Sequence, residues 1–131
     1  MRPTVLLADD HTATAEQLRV LLQPHFDVVA VVEDGRDLVS AAARLTPDVI
    51  VTDISMPGLN GIEASVRILR RTPEARIVFV TVHSEPMLVE RGLATGALGY
   101  VLKDTAGDDL VAAVHAALGG ERYVSRALLS T

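Results

Sequence analysis

Short apolar runs alternate with longer stretches of helical periodicity along almost the whole chain. The runs are Val5-Leu6-Leu7-Ala8, Val28 to Val32, Val49-Ile50-Val51-Thr52, Arg76 to Thr81 and residues 98–102. Between them apolar side chains recur three and four residues apart, which gathers them on one helix face. The spacing predicts a first helix near 12–23, with Ala15, Leu18 and Leu22 inward, and a second near 35–45, with Leu38, Ala42 and Leu45 aligned. Ile62, Val66 and Leu69 mark a third helix. Ser84 is placed to cap a short fourth helix with Pro86 in its first turn, and Gly92 and Gly96 bracket its end. A last helix at about 106–118 turns Leu110, Val114 and Ala117 or Leu118 inward and stops at Gly119-Gly120. The pattern is (βα)5, an α/β domain built on a parallel sheet. The second and third strands are nearly continuous Val and Ile, as strands are when helices cover both faces.

Four of the five runs end in a reactive or charged side chain. The first leads into Asp9-Asp10 and the third into Asp53, while the fourth ends at Thr81 and the fifth at Lys103. In a doubly wound sheet, sites form outside the carboxyl ends of the strands, where the strand order reverses. Neighbouring strands would bring these side chains to one edge as an acidic pocket with a hydroxyl and one cation at its rim. Carboxylates crowded in this way resist ionisation unless a cation compensates them. An oxygen-rich cluster suits a hard ion such as Mg²⁺, which binds through one or two carboxylates, waters and phosphate oxygens. Asp10 and Asp53 are the candidate direct ligands, and Asp9 is the candidate for contact through a water. Asp53 is a lone acid followed by the turn-forming loop Met56-Pro57-Gly58-Leu59-Asn60-Gly61, which leaves its face open. It is the better candidate nucleophile towards phosphorus. Lys103 and the metal would neutralise charge on phosphoryl oxygens, and Thr81 would donate a hydrogen bond.

Composition narrows the setting. At 131 residues, 49% hydrophobic and 22% charged, the chain fits one folded domain. Only 3% is aromatic and there is no Trp, so Val, Leu, Ile and Ala must fill the core. The apolar runs are far shorter than the roughly 20 residues a membrane helix needs, and Met1-Arg2-Pro3-Thr4 carries no signal-peptide pattern. With no Cys there is neither a disulfide framework nor thiolate chemistry, and the expected compartment is the cytoplasm. A net charge of −5 without a basic block argues against DNA binding by this chain alone.

Leu7-Ala8-Asp9-Asp10-His11, the run from Asp53 to Gly61, Thr81-Val82-His83 and Gly99-Tyr100-Val101-Leu102-Lys103 together resemble the receiver (CheY-like) domain of two-component response regulators. The resemblance spans about residues 3–118, with four separate motifs in the right order. It implies a flavodoxin-like doubly wound parallel sheet, and the strand order 2-1-3-4-5 rests on the family pattern alone. It also implies Asp53 as phospho-acceptor, Asp9 and Asp10 as the acidic pair, and the backbone carbonyl of Ser55 as a further metal ligand for Mg²⁺ or Mn²⁺. Thr81 and Lys103 would contact the phosphoryl group, and Tyr100 would be the switch aromatic. Ser55 and His83, two residues beyond Asp53 and Thr81, stand where family members tune hydrolysis of the acyl phosphate. The implied partner is a sensor histidine kinase. Such a domain is a signalling switch with slow self-catalysed phosphorylation and dephosphorylation, not a turnover enzyme.

Asp9-Asp10-His11, Lys103-Asp104 and the tail Gly119-Gly120-Glu121-Arg122-Tyr123-Val124-Ser125 look like the NarL/FixJ (LuxR-type) subgroup. The expected organisation is a receiver over 1–120 and, over 121–131, the start of a linker to an absent C-terminal helix-turn-helix domain. That domain would bind DNA, and phosphorylation would favour a homodimer. A stand-alone receiver acting through protein contacts is the alternative. An aspartyl phosphatase of haloacid-dehalogenase type would want an acid where Ser55 stands. A flavin binder would want a phosphate loop where Asp9-Asp10-His11-Thr12 stands. Asn60 is a mild departure from the family's usual Asp. His11 reads as a structural hydrogen bonder, and His25 and His115 as solvent-facing.

Overall fold

Continuous apolar strands are explained by burial on both faces. In the computed structural model, which describes residues 2–129, β1 (Thr4–Ala8), β3 (Val49–Thr52) and β4 (Ile77–Thr81) form the middle of one parallel sheet. β2 (Asp27–Val32) and β5 (Gly99–Leu102) flank them in the expected order 2-1-3-4-5. Helices α1 (Thr12–Leu22) and α5 (Ala106–Leu118) cover one face. The other face carries α2 (Gly35–Leu45), α3 (Gly61–Arg71) and α4 (Pro86–Ala94).

Strand side chains alternate between the two faces, so two apolar cores form. Val5, Leu7, Val49 and Val51 meet Leu18, Leu22, Phe26 and Leu110 on one side. Leu6, Ile50, Ile77 and Phe79 meet Leu38, Ala64 and Ile68 on the other. Register then sets up the strand ends. Ala8 pairs with Thr52, and the Asp53 N–H donates to the Ala8 carbonyl at 2.9 Å, so Asp9 and Asp53 leave adjacent strands side by side.

Three local expectations are corrected. β2 is not covered on both faces: it is an edge strand, and Val29 and Val31 are 39% and 41% exposed beside a register shift in the β1–β2 pairing. The inward face of α3 is Gly61, Ala64, Ser65 and Ile68, with Ile62, Val66 and Leu69 only at its margin. Small side chains let this helix approach the sheet, and Ser65 tolerates burial because its Oγ donates to the Gly61 carbonyl at 2.7 Å. Ser84 does not cap α4. The cap position is Glu85, which makes no side-chain cap bond, and Pro86 opens the helix without an N–H needing a partner.

The tail also differs. Within the stretch expected to be a linker, Tyr123–Val124 form a sixth strand, β6, parallel to β5, and Arg126–Leu128 form a 3-10 turn. Ser130 and Thr131 lie outside the described residues. Asp109, in the first turn of α5, collects the hydroxyls that hold this tail. Its Oδ1 accepts from Tyr123 at 2.7 Å, and its Oδ2 from Ser125 at 2.8 Å and Thr105 at 2.7 Å. Partial burial disfavours the Asp109 charge, but the three hydroxyls and the nearby Arg126 outweigh it and hold the carboxyl below its ordinary value of 3.8. Donation to Asp109, then burial, raises the Tyr123 phenol above its ordinary 10.0.

Both shifts make docking of the tail depend on pH. The Asp109 contribution is complete above pH 3.8 and is lost as pH falls through the lowered folded-state value. The Tyr123 contribution is complete below pH 10.0 and is lost as pH rises through its raised value. Asp108 and Arg126 are the other charges acting on this pair. The Ser125 amide resonance should therefore move in acid and again in alkali. Asp109→Asn should lack the acid transition, and an unaltered acid limb in that variant would contradict the assignment.

Candidate functional site

Asp53 is fixed by its own backbone before any partner is considered. The Ile54 N–H donates to Asp53 Oδ1 at 2.7 Å, and the Thr52 hydroxyl donates to the Asp53 carbonyl at 2.8 Å. The following loop folds back beneath it, with the Gly61 N–H donating to the Ile54 carbonyl at 2.7 Å. A Cβ at residue 61 would stand 2.0 Å from the Asp53 carbonyl oxygen, so only glycine fits there. Asn60 then starts α3 as a capping box: its Oδ1 accepts the Glu63 N–H at 2.8 Å, and Glu63 Oε1 accepts the Asn60 N–H at 3.1 Å. The departure at Asn60 thus anchors the loop.

The acidic pair comes from β1. Asp9 is completely buried, and its Oδ1 accepts the His11 N–H at 2.9 Å. Asp10 is partly exposed. Lys103 follows β5 and reaches across β4: its Nζ lies 2.8 Å from Asp9 Oδ2 and 2.9 Å from Asp53 Oδ2. Burial works against the Lys103 charge, but Asp53 and then Asp9 outweigh it and hold the ammonium above the ordinary lysine value.

Asp9, Asp10, His11 and Asp53 each offer one ligand atom, all within 4.8 Å of one another. Asp9 Oδ2 and Asp10 Oδ1 are buried oxygens without an aligned hydrogen bond, despite ion contacts to Lys103 and, at 3.1 Å, to His11 Nδ1. Buried oxygens in that condition could accept a cation. The bond from His11 to Asp9 is made by its backbone N–H, which any non-proline residue could supply. The His11 ring also stands within the ligand cluster, which its place directly after two acids hints at.

The remaining candidates form a second chain of contacts. Ser55 Oγ and His83 Nε2 share a hydrogen bond of 2.7 Å across the mouth of the site. The His83 N–H donates to Thr81 Oγ1 at 3.2 Å, and the Tyr100 hydroxyl donates to the His83 carbonyl at 2.7 Å. Tyr100 is wholly buried, tilted against Phe79 and close to Gly92, where an added Cβ would come 3.1 Å from its ring. Burial, with the negative charges of Glu85 and Asp53, pushes its phenol up to about 12. Thr81 is buried at the end of β4 and bonded to His83, not to Asp53. Glu85 carries no motif that marks it in the sequence; its Oε2 stands 3.5 Å from His83 Nδ1. Asp9, Asp10, Asp53 and Lys103 therefore meet directly, whereas Ser55, Thr81, His83 and Tyr100 link to one another around them.

A family model described as the response regulator receiver domain matches residues 5–115. The chain belongs to the response regulator receiver family. It is 36% identical over 122 residues to the transcriptional regulatory protein DegU of Brevibacillus brevis, an alignment covering 92% of this chain and 52% of that one. It thus spans about half the length of the curated relatives it matches. A two-component response regulator of the LuxR family from Aurantimonas sp. SI85-9A1 superposes with a TM-score of 0.93 at 33% identity, over 98% of this chain and 94% of that one. The isolated receiver domain of RcsB from Salmonella enterica serovar Typhimurium, solved in the presence of the phosphomimetic BeF3⁻, superposes with a TM-score of 0.90 at 29% identity, over 98% and 97%. These relatives place the receiver in the LuxR/NarL group.

Two consequences follow for the stability of this receiver. Without divalent metal, Lys103→Met leaves buried Asp9 and Asp53 without their cation and should destabilise by about 3 kcal/mol in urea. Adding Asp53→Asn should recover more than about 1 kcal/mol; a purely additive double variant would mean that the charges do not interact. Gly61→Ala forces a Cβ into the Asp53 carbonyl and should lower stability by about 2 kcal/mol or more on thermal denaturation. Wild-type stability in that variant would disprove the tight approach.

Proposed function

We propose that this receiver accepts a phosphoryl group on Asp53 from a sensor histidine kinase, in a reaction that requires Mg²⁺ or Mn²⁺. The carrying observation is the setting of Asp53: a nearly buried carboxylate at a strand end, within 4.8 Å of two further acids and 2.9 Å from the Lys103 ammonium. The under-bonded Asp9 and Asp10 oxygens support a hard cation held by Asp10, Asp53 and the Ser55 carbonyl, with Asp9 acting through a water. When bound, that ion supplies positive charge to the phosphoryl oxygens.

An Asp53 carboxylate oxygen attacks phosphorus as the phosphorus–nitrogen bond of the donor histidine breaks, and that imidazole keeps the bonding pair. Lys103, released from one carboxylate contact, donates to a phosphoryl oxygen. The Thr81 hydroxyl, which accepts only a 3.2 Å bond from His83, is free to turn its proton towards the same group. Slow hydrolysis returns Asp53, and the Ser55–His83 hydrogen bond across the mouth is where water is obstructed or positioned.

Tyr100 completes the switch through its bond to the β4–α4 loop at His83, so movement of Thr81 is passed to α4 and β5. In a longer parent protein in the cytoplasm, this change favours a homodimer and controls transcription through a C-terminal DNA-binding domain. The naming of a curated relative as a transcriptional regulatory protein supports that part.

Acetyl phosphate with Mg²⁺ should add one phosphoryl group to the wild type, seen as a single mass increment. Asp53→Asn should gain none, and chelation of the metal should abolish the wild-type signal. Labelling that persists in Asp53→Asn would remove Asp53 as the acceptor.

A further inference from the structure

Strand β5 has two clients. On one side it serves the acidic pocket, through Lys103 directly after its end, and the loop after β4, through Tyr100. Its backbone serves the tail: the Ser125 N–H donates to the Tyr100 carbonyl at 3.0 Å, and the Leu102 N–H donates to Ser125 Oγ at 3.0 Å. Ser125 is completely buried and donates its own proton to Asp109 at 2.8 Å. Asp109 also accepts from Thr105, which closes the 3-10 turn Lys103–Thr105. One carboxylate therefore ties the segment leaving the receiver to the turn that begins with Lys103.

The geometry points to Asp109 as a positioning residue that latches the tail Tyr123–Leu128 to the Lys103 turn, coupling the occupancy of the Asp53 site to the docking of that tail. Asp109 does not touch the site. It acts by holding Thr105 and Ser125, which brace the backbone on either side of Lys103. A braced turn presents the ammonium in place, whereas a loose one must be ordered on each binding event. Coupling is reciprocal, so a latch that strengthens binding at the site is itself strengthened by binding there. The latch thus gives the site a route to the tail Tyr123–Leu128 that does not pass through the Tyr100 side chain. The coupling, though not the latch itself, rests on the reading of Asp53 as phosphoryl acceptor.

The test uses the 131-residue chain with Mg²⁺ and beryllofluoride, a phosphoryl mimic. Amide exchange of residues 123–128 should slow when beryllofluoride binds the wild type. In Asp109→Asn the same amides should exchange at least about tenfold faster without the mimic, and beryllofluoride should bind about fivefold more weakly. Tyr123→Phe removes one donor while leaving Thr105 and Ser125 in place, so it gives a smaller effect of the same sign and serves if Asp109→Asn does not fold. Unchanged exchange of the tail in both variants overturns the latch. Faster exchange with unchanged beryllofluoride affinity leaves a structural clip and overturns the coupling. Failure of the wild type to bind beryllofluoride overturns the coupling together with the reading of the site, whereas unchanged variant affinity beside normal wild-type binding overturns the coupling alone.

Discussion

Three carboxylates crowd the carboxyl edge of this sheet while the Lys103 ammonium contacts two of them, and the rest of the site is arranged around that imbalance. Asp9 and Asp53 are shielded from water, where an unpaired charge is costly. Lys103 offsets both at once, from 2.8 and 2.9 Å. It starts two strands away from Asp53, at the end of β5 with β4 between. Strands lie about 4.8 Å apart, so roughly 10 Å of sheet separates the two strand ends, a gap closed by the long unbranched Lys103 stem, the 2.9 Å contact and the Asp53 side chain together. Among the described residues Lys103 stands against three acids there, which leaves the pocket short of positive charge and favours a divalent ion.

Much of this is legible in the chain because the site is assembled from strand ends. A strand end is marked in sequence by the switch from apolar run to polar residue, and parallel order turns that mark into a position. Asp9, Asp10, Asp53 and Lys103 are all marked in this way, and the structure brings them into contact. What the pattern hides has a different cause. Ile62, Val66 and Leu69 mark α3 but only flank its buried face, because close helix–sheet approach selects Ala64 and Ser65 there. β2 has the composition of a buried strand, but sheet order leaves it at an edge, and order is not written in local pattern. β6 is two residues long, too short for periodicity to register. Asp109 resembles any acid placed in a helix's first turn, and nothing local reveals that three hydroxyls from two other segments converge on it.

The second chain of contacts shows how the pocket is wired to its surroundings. His83 is bonded at three of its atoms, to Ser55 through the ring, to Thr81 through the amide and to Tyr100 through the carbonyl. Tyr100 already occupies the interior beside Gly92 with its hydroxyl satisfied, so burial and hydrogen bonding both favour the inward rotamer. Under the proposed function, phosphorylation can act on this side chain only as far as its alternative positions bind the added charge differently.

β5 is the element on which these contacts converge. Residues on a strand present side chains to two faces and hydrogen bonds to two edges, so one short strand can serve four directions. On β5, Tyr100 reaches the β4–α4 loop, Val101 packs beneath α5, and the backbone at 100 and 102 holds the tail. Lys103 follows at once and enters the pocket. Adjacent peptide units on an extended strand have little freedom to move separately, because each is pinned by ladder bonds to β4 on one side and β6 on the other. A displacement of Lys103 must therefore be absorbed in the 3-10 turn Lys103–Thr105 or transmitted along the strand. The turn is closed by Thr105 and Asp109, so both of its ends are held by hydrogen bonds that a displacement of Lys103 would have to strain.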